Sequence, residues 1–251
     1  MFQSNTDREW EKFGEQNPYF GVLAEQKFQQ SSLSIEAKQE FFQSGFDEIN
    51  QVVQNIKEYI DPAFEISRAL DFGCGVGRLV IPLAQIADSV TGVDVSDAML
   101  REAQSNCNAQ GIKNARLVKS DAHLTSLEGK YNLIHSYIVF QHIPANRGAI
   151  IFSQLLSYLS EGGVGVVHFT YAKERQLQTL NQLIKDRTPF VENMINLIKG
   201  KGFFAPQMKM HTYDLNQIFS ILQKSKIQQV HHEFTNHGGH LGIVLYFKKC
   251  V

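Results

Sequence analysis

The chain has 251 residues, 43% of them hydrophobic and 20% charged, with 24 Lys and Arg against 25 Asp and Glu. This fits one globular α/β domain with extensions, long enough to bury a substantial core. There is no basic excess of the kind nucleic-acid binders carry and no apolar run of membrane-spanning length, so neither nucleic acid nor membrane is an expected partner.

The N-terminal stretch Met1–Asp7 lacks the basic start and apolar core of a signal peptide. Cys74, Cys107 and Cys250 are odd in number and show no metal-ligand spacing, so free thiols in a reducing, cytoplasmic setting are expected.

Trp10–Phe28 is aromatic-rich and interrupted by Gly14, Pro18 and Gly21. Asn17-Pro18 favours a turn over a helix. The stretch is expected to lie on the core as a packing arm, with Tyr19 and Phe20 helping to close a ligand pocket. Between Ile35 and Ile60, Phe42, Phe46, Ile49, Val53, Ile56 and Ile60 recur at helical steps. One or two helices are predicted there, with a break at Gly45 and a stop before Pro62.

An alternation then begins. Ile66–Phe72 reads as a strand and Arg78–Ala87 as a helix, with Pro82 tolerated near its first turn. Val90–Val95 is a second strand. Ser96 is an N-cap for a helix carrying Met99, Ala103 and Cys107, closed by Gly111. Ala115–Ser120 and Tyr131–Ser136 are strands, Asn146–Leu159 is a helix ended by Gly162-Gly163, and Val164–Thr170 is a fifth strand. Such alternation implies a mostly parallel sheet with helices on both faces. Leu215–Leu222 is a further helix. Val230–Thr235 and Leu241–Lys248 are strands joined through Asn236–His240 as a hairpin. The expected organisation is a single domain over 1–251. It has an N-terminal helical arm at 1–62, a core at 63–171, a helical insertion and lid at 172–212, and a helix with a hairpin at 213–251.

In open α/β sheets, ligands sit beyond the carboxyl ends of the strands. After the first strand comes Asp71-Phe72-Gly73-Cys74-Gly75-Val76-Gly77, a backbone cradle spaced G-x-G-x-G rather than as a dinucleotide fingerprint. Asp94 ends the second strand, where an acid can accept from both ribose hydroxyls. Asp71 before the cradle is a poor neighbour for pyrophosphate and a good one for a cation. Asp121, after the third strand, can accept from an adenine amine. Three acids at three strand ends point to a cationic nucleoside such as S-adenosylmethionine.

Here the sequence resembles the class I S-adenosylmethionine-dependent methyltransferases. The matching stretches are Leu70–Val80, Val90–Leu100, Leu117–His123, Tyr131–Pro144 and Leu156–Val167, within 69–171. Asn132 departs from the family, which has an acid there, at a position taken as structural. The resemblance implies a Rossmann-like three-layer sandwich with a seven-stranded sheet. Strand seven runs antiparallel between strands five and six. It also implies that Asp71, Gly73, Gly75 and Gly77 line the cofactor, Asp94 holds the ribose, and Asp121 with Ala122 meets adenine. Cys74 contributes backbone to the cradle, and Val95, Met99 and Ser136 are placed beside the cofactor.

Methyl transfer from a sulfonium needs alignment and exclusion of water, and a base only if the acceptor arrives protonated. Tyr137, Gln141 and His142 follow the fourth strand, with His142 and Tyr137 as catalytic candidates. His168 and Tyr171 end the fifth strand, and His237 and His240 lie in the hairpin; these complete the expected substrate pocket with Tyr19, Phe20 and His142. No metal site is expected, because His231 and His232 are adjacent in a strand and face opposite sides. The expected function is methyl transfer to a small molecule. The alternatives are an S-adenosylmethionine-binding protein acting on protein or RNA, or lacking transferase activity, and, more remotely, an NAD-dependent oxidoreductase. The acceptor and the oligomeric state are not legible.

Overall fold

A computed structural model of the chain describes residues 5–174 and 208–250. The expected insertion therefore falls almost wholly outside the described residues.

The N-terminal arm is more helical than its composition predicts. Helix α1 spans Asn5–Gln16 and α2 spans Pro18–Val22. Asn17-Pro18 starts a helix instead of turning the chain: Asn17 is the N-cap and Pro18 takes the first helical position. There its missing N–H has no intrahelical partner to lose. Helix α3 runs unbroken over Ile35–Tyr59, with the Ser34 side chain accepting from Ala37 N and Phe41, Phe42, Ile49, Val52 and Ile56 buried. Gly45 does not break it. A Cβ there would lie 2.2 Å from the Arg78 carbonyl oxygen, so the glycine lets α3 rest against the cradle.

Strand β1 is Arg68–Phe72, and α4 is Val80–Ile86, two residues later than the expected start at Arg78. Residues 73–79 are turns, and Pro82 falls in the first turn of the helix. Then come β2 (Ser89–Asp94), α5 (Asp97–Ala109), β3 (Ala115–Lys119) and β4 (Tyr131–Ser136). Ser96 caps α5 as its sequence predicts, accepting from Met99 N at 3.1 Å. After a 3₁₀ turn at Phe140–His142, α6 covers Ala145–Tyr158.

Strand β5, Leu159–Lys173, is much longer than the seven residues expected. Gly162-Gly163 is not a helix stop. The strand begins directly after α6, and Gly162, at φ +70°, sits where the β4–β5 register shifts. Helix α7 is Leu215–Lys224, followed by β6 (Val230–His237) and β7 (His240–Lys248). Their connection is tighter than expected. Only Gly238 and Gly239 turn, both at positive φ, as a two-residue hairpin requires.

The seven strands form one sheet in the order β3-β2-β1-β4-β5-β7-β6. Strand β7 is antiparallel to both β5 and β6, and the remaining pairs are parallel. This is the order the resemblance implies. One face packs on α3, α4 and the arm through Phe41, Ile49, Ile81 and Leu83. The other packs through Phe140, Phe152, Phe169, Tyr213 and Phe247. The strand order reverses between β1 and β4, and the crevice at their carboxyl ends holds the site.

Candidate active site

The cradle is fixed before any ligand arrives. Gly73 N and Cys74 N donate to the Val93 carbonyl at 2.7 and 2.9 Å. Gly75 N donates to Asp94 Oδ2 and Ser96 N to Asp94 Oδ1, each at 2.9 Å. One carboxylate thus joins the cradle to the start of α5. Gly73 and Gly75 have φ of +78° and +51°, and a Cβ on either would press into Val139 or Val22 within 2.6 Å.

A cavity of about 610 Å³ opens over this cradle. Asp71, Gly73, Cys74, Gly75, Asp94, Val95 and Met99 line it, together with Tyr137, His142, His237 and His240. Most of the residues picked from the sequence therefore converge on one space. Others stand off its wall. Tyr19 is buried, its hydroxyl donating to Glu102 Oε1 at 2.6 Å, and Phe20 packs against the core. Gly77 abuts Ala103, and Ser136 donates its hydroxyl to the Phe72 carbonyl. The Asp121 carboxylate accepts from His123 N, Thr125 N and the Thr125 hydroxyl, so it caps its own loop, with Ala122 inside that loop. Ser120 instead reaches the wall there. His168 is fully buried behind the wall, bonded to Thr235 Oγ1 at 2.9 Å, and Tyr171 meets Phe234 edge-on.

Several wall residues escaped sequence analysis: Trp10 of α1, Leu23, Arg78, Met208 and Met210. Trp10 meets the His142 ring at 5.0 Å, and Arg147 of α6 holds Asp7 of α1 through two bonds of 2.7 and 3.2 Å. The arm thus forms a side of the cavity. An apolar anchor so far along the chain from the site leaves no local signal.

Burial sets the charge states. It pushes the Asp94 carboxyl up to about 6, opposed by the N–H groups of Ser96, Gly75 and Val95. It drives His142 down to about 4 and His168 to about 3, and lowers His237 and His240. Neutral His142 is committed on both sides: Nδ1–H donates to the Lys209 carbonyl at 3.0 Å, and Nε2 accepts from the Gln141 amide at 3.1 Å. Gln141 in turn accepts from the Thr170 hydroxyl.

The donor set fits the sulfonium nucleoside that the resemblance implies. Two carboxylates face the cradle end, where a pyrophosphate would be repelled. Asp94 also keeps lone pairs for ribose hydroxyls beyond its two backbone bonds. A pH dependence follows. Ligands that use ionised Asp94 bind tightly above pH 6, and protonation of the free site then opposes them. Between pH 6 and 4, the dissociation constant of any adenosyl ligand should rise by up to about tenfold per pH unit. Calorimetry across that range checks this, and a flat profile would contradict the ribose role.

A family model described as a methyltransferase domain matches residues 69–163. A magnesium-protoporphyrin O-methyltransferase of Synechocystis sp. is 36% identical over 87 residues, which cover 35% of this chain and 38% of the relative. An uncharacterized RNA methyltransferase of Thermosynechococcus vestitus is 37% identical over 82 residues, covering 33% of this chain and 18% of the relative. The matches thus span well under half of either relative's length. The crystal structure of the magnesium protoporphyrin IX methyltransferase from Synechocystis PCC 6803 with bound SAM superposes with a TM-score of 0.62 over 99% of both chains, at 17% identity. That likeness is one of fold.

Proposed function

We propose that the chain, whose residues 69–163 match a methyltransferase-domain model, transfers a methyl group from S-adenosylmethionine to a small-molecule nucleophile held in the cavity. One observation carries this proposal: the cavity lined by the cradle is also walled by α1, the hairpin turn and Met208 and Met210. A chamber walled on several sides suits a compact acceptor better than a polymer strand, and the near-balanced charge agrees.

When bound, the cofactor supplies an already activated methyl group for in-line displacement. The work left to the chain is binding, alignment and exclusion of water. The cradle and Asp94 fix the nucleoside, and Asp71 faces the cationic end. Tyr137 and His142 shape the acceptor end. His142, neutral and bonded through both nitrogens, orients its neighbours rather than taking a proton. His237 Nε2 and His240 Nδ1 are buried without a partner among the described residues, and offer hydrogen bonds to a polar acceptor. The Tyr137 phenol, pushed by burial to about 12, stays protonated and can donate. The acceptor therefore reacts through its own lone pair.

The test is incubation with methyl-labelled S-adenosylmethionine and separated small-molecule, RNA and protein fractions of a cell extract. Label should enter the small-molecule fraction. Label confined to RNA or protein would overturn the acceptor class, and no transfer to any fraction would overturn the activity.

A further inference from the structure

A histidine that the sequence did not single out stands directly behind the cradle. His135 lies on β4, opposite Asp71 of β1 in the sheet register. Its side chain is fully buried, and its Nδ1 is 3.1 Å from Asp71 Oδ1. A carboxylate only accepts, so Nδ1 carries the proton. That is the hydrogen bond the described residues give the Asp71 carboxylate. The other ring nitrogen, Nε2, is buried with no partner among the described residues.

An imidazole is a poor choice here for packing alone. Its neighbours on β4, Leu133 and Ile134, fill their places with apolar side chains and leave no polar atom stranded. A leucine at 135 would do the same, so the stranded nitrogen marks a position kept for another purpose. Asp71 faces the cavity, and an acid there can meet the ammonium of the cofactor's methionine moiety only if its carboxylate is held at the right angle. Arg78, at the exit of the cradle, interacts with Asp71 and would draw an unanchored carboxylate toward itself, and it also interacts with Glu48 of α3.

We propose that His135 is a positioning residue that fixes the Asp71 carboxylate toward the amino group of the bound cofactor. The role rests on the cofactor assignment above. It predicts a selective loss: ligands that carry the amino-acid moiety need His135, and ligands that end at the sulfur do not.

Calorimetry with two probes tests this on the full chain. S-adenosylhomocysteine carries the amino-acid moiety, and 5′-methylthioadenosine lacks it. His135→Leu should weaken the first by about tenfold and leave the second within about twofold, the loss of one charge-assisted bond. His135→Asn, whose amide can donate near the place of Nδ1, should restore most of the affinity. His135→Gln, whose amide reaches past that place, should behave like His135→Leu and replaces it if the leucine variant does not fold. Equal weakening of both probes would make His135 merely structural, and unchanged binding of both would refute the role. Failure of the unsubstituted protein to bind either probe would instead refute the cofactor assignment.

Discussion

Asp94→Ala will weaken binding of S-adenosylhomocysteine by about two orders of magnitude while leaving the fold standing. Two bonds from the ribose hydroxyls to an ionised carboxylate, each worth about 1.5 kcal/mol, convert to roughly that loss. The same carboxylate accepts from Gly75 N and Ser96 N, so its removal also loosens the cradle. Stability responds differently from affinity. Burial raises the Asp94 carboxyl from 3.8 to about 6, so at pH 7 its ionisation works against folding by about 3 kcal/mol. For a raised carboxyl the contribution to stability is present below pH 3.8 and lost as the pH rises through about 6. At pH 7 the alanine variant is relieved of that opposition and in exchange strands two N–H groups, at about 1–3 kcal/mol each. The two nearly cancel. Calorimetry should therefore show the loss of binding, while thermal melting of the unliganded protein moves by only a few degrees. Retained affinity would refute the ribose assignment. A collapse of the melting temperature would make Asp94 a structural residue.

Asp94 was legible because its signal is local. An acid closing an apolar run, after a glycine-rich turn, needs only strand geometry to be placed. The same holds for Asp71 and for the Ser96 cap. The sheet order followed from the resemblance and from the Gly-Gly hairpin. Asp121 shows the limit of this reasoning. It follows its strand as expected, but its side chain has local donors in Thr125 and His123, and these bond the carboxylate. His135 shows the opposite failure. Nothing near it in sequence distinguishes it from a strand residue, and its partner Asp71 is 64 positions away. Trp10, Met208 and Met210 belong to the same class, reaching the cavity from segments far from the strand ends. Pro18 misleads for a different reason: a proline starts a helix as readily as it breaks one, and only the residues after it decide.

Gly45 carries the second large effect, because a helical glycine reads as a weakness until its surroundings are known. On propensity alone Gly45→Ala would stabilise α3 by about 1 kcal/mol. The structure reverses the sign. The added Cβ would lie 2.2 Å from the Arg78 carbonyl oxygen and 3.0 Å from Arg78 Cγ. The first is backbone at the exit of the cradle and cannot swing aside as a side chain can. Either α3 or residues 73–79 must move, and such overpacking costs about 3 kcal/mol. The net expectation is a loss of about 2 kcal/mol, a fall in melting temperature of roughly 5 °C for a chain of this length. Because the strain falls on the cradle, affinity for S-adenosylhomocysteine should fall with it. Asn50→Ala, an exposed position on the same helix, separates the causes. It gains the propensity without the collision, so its melting temperature should hold or rise slightly. If Gly45→Ala melts no lower than Asn50→Ala, then α3 is not seated against the cradle by that glycine.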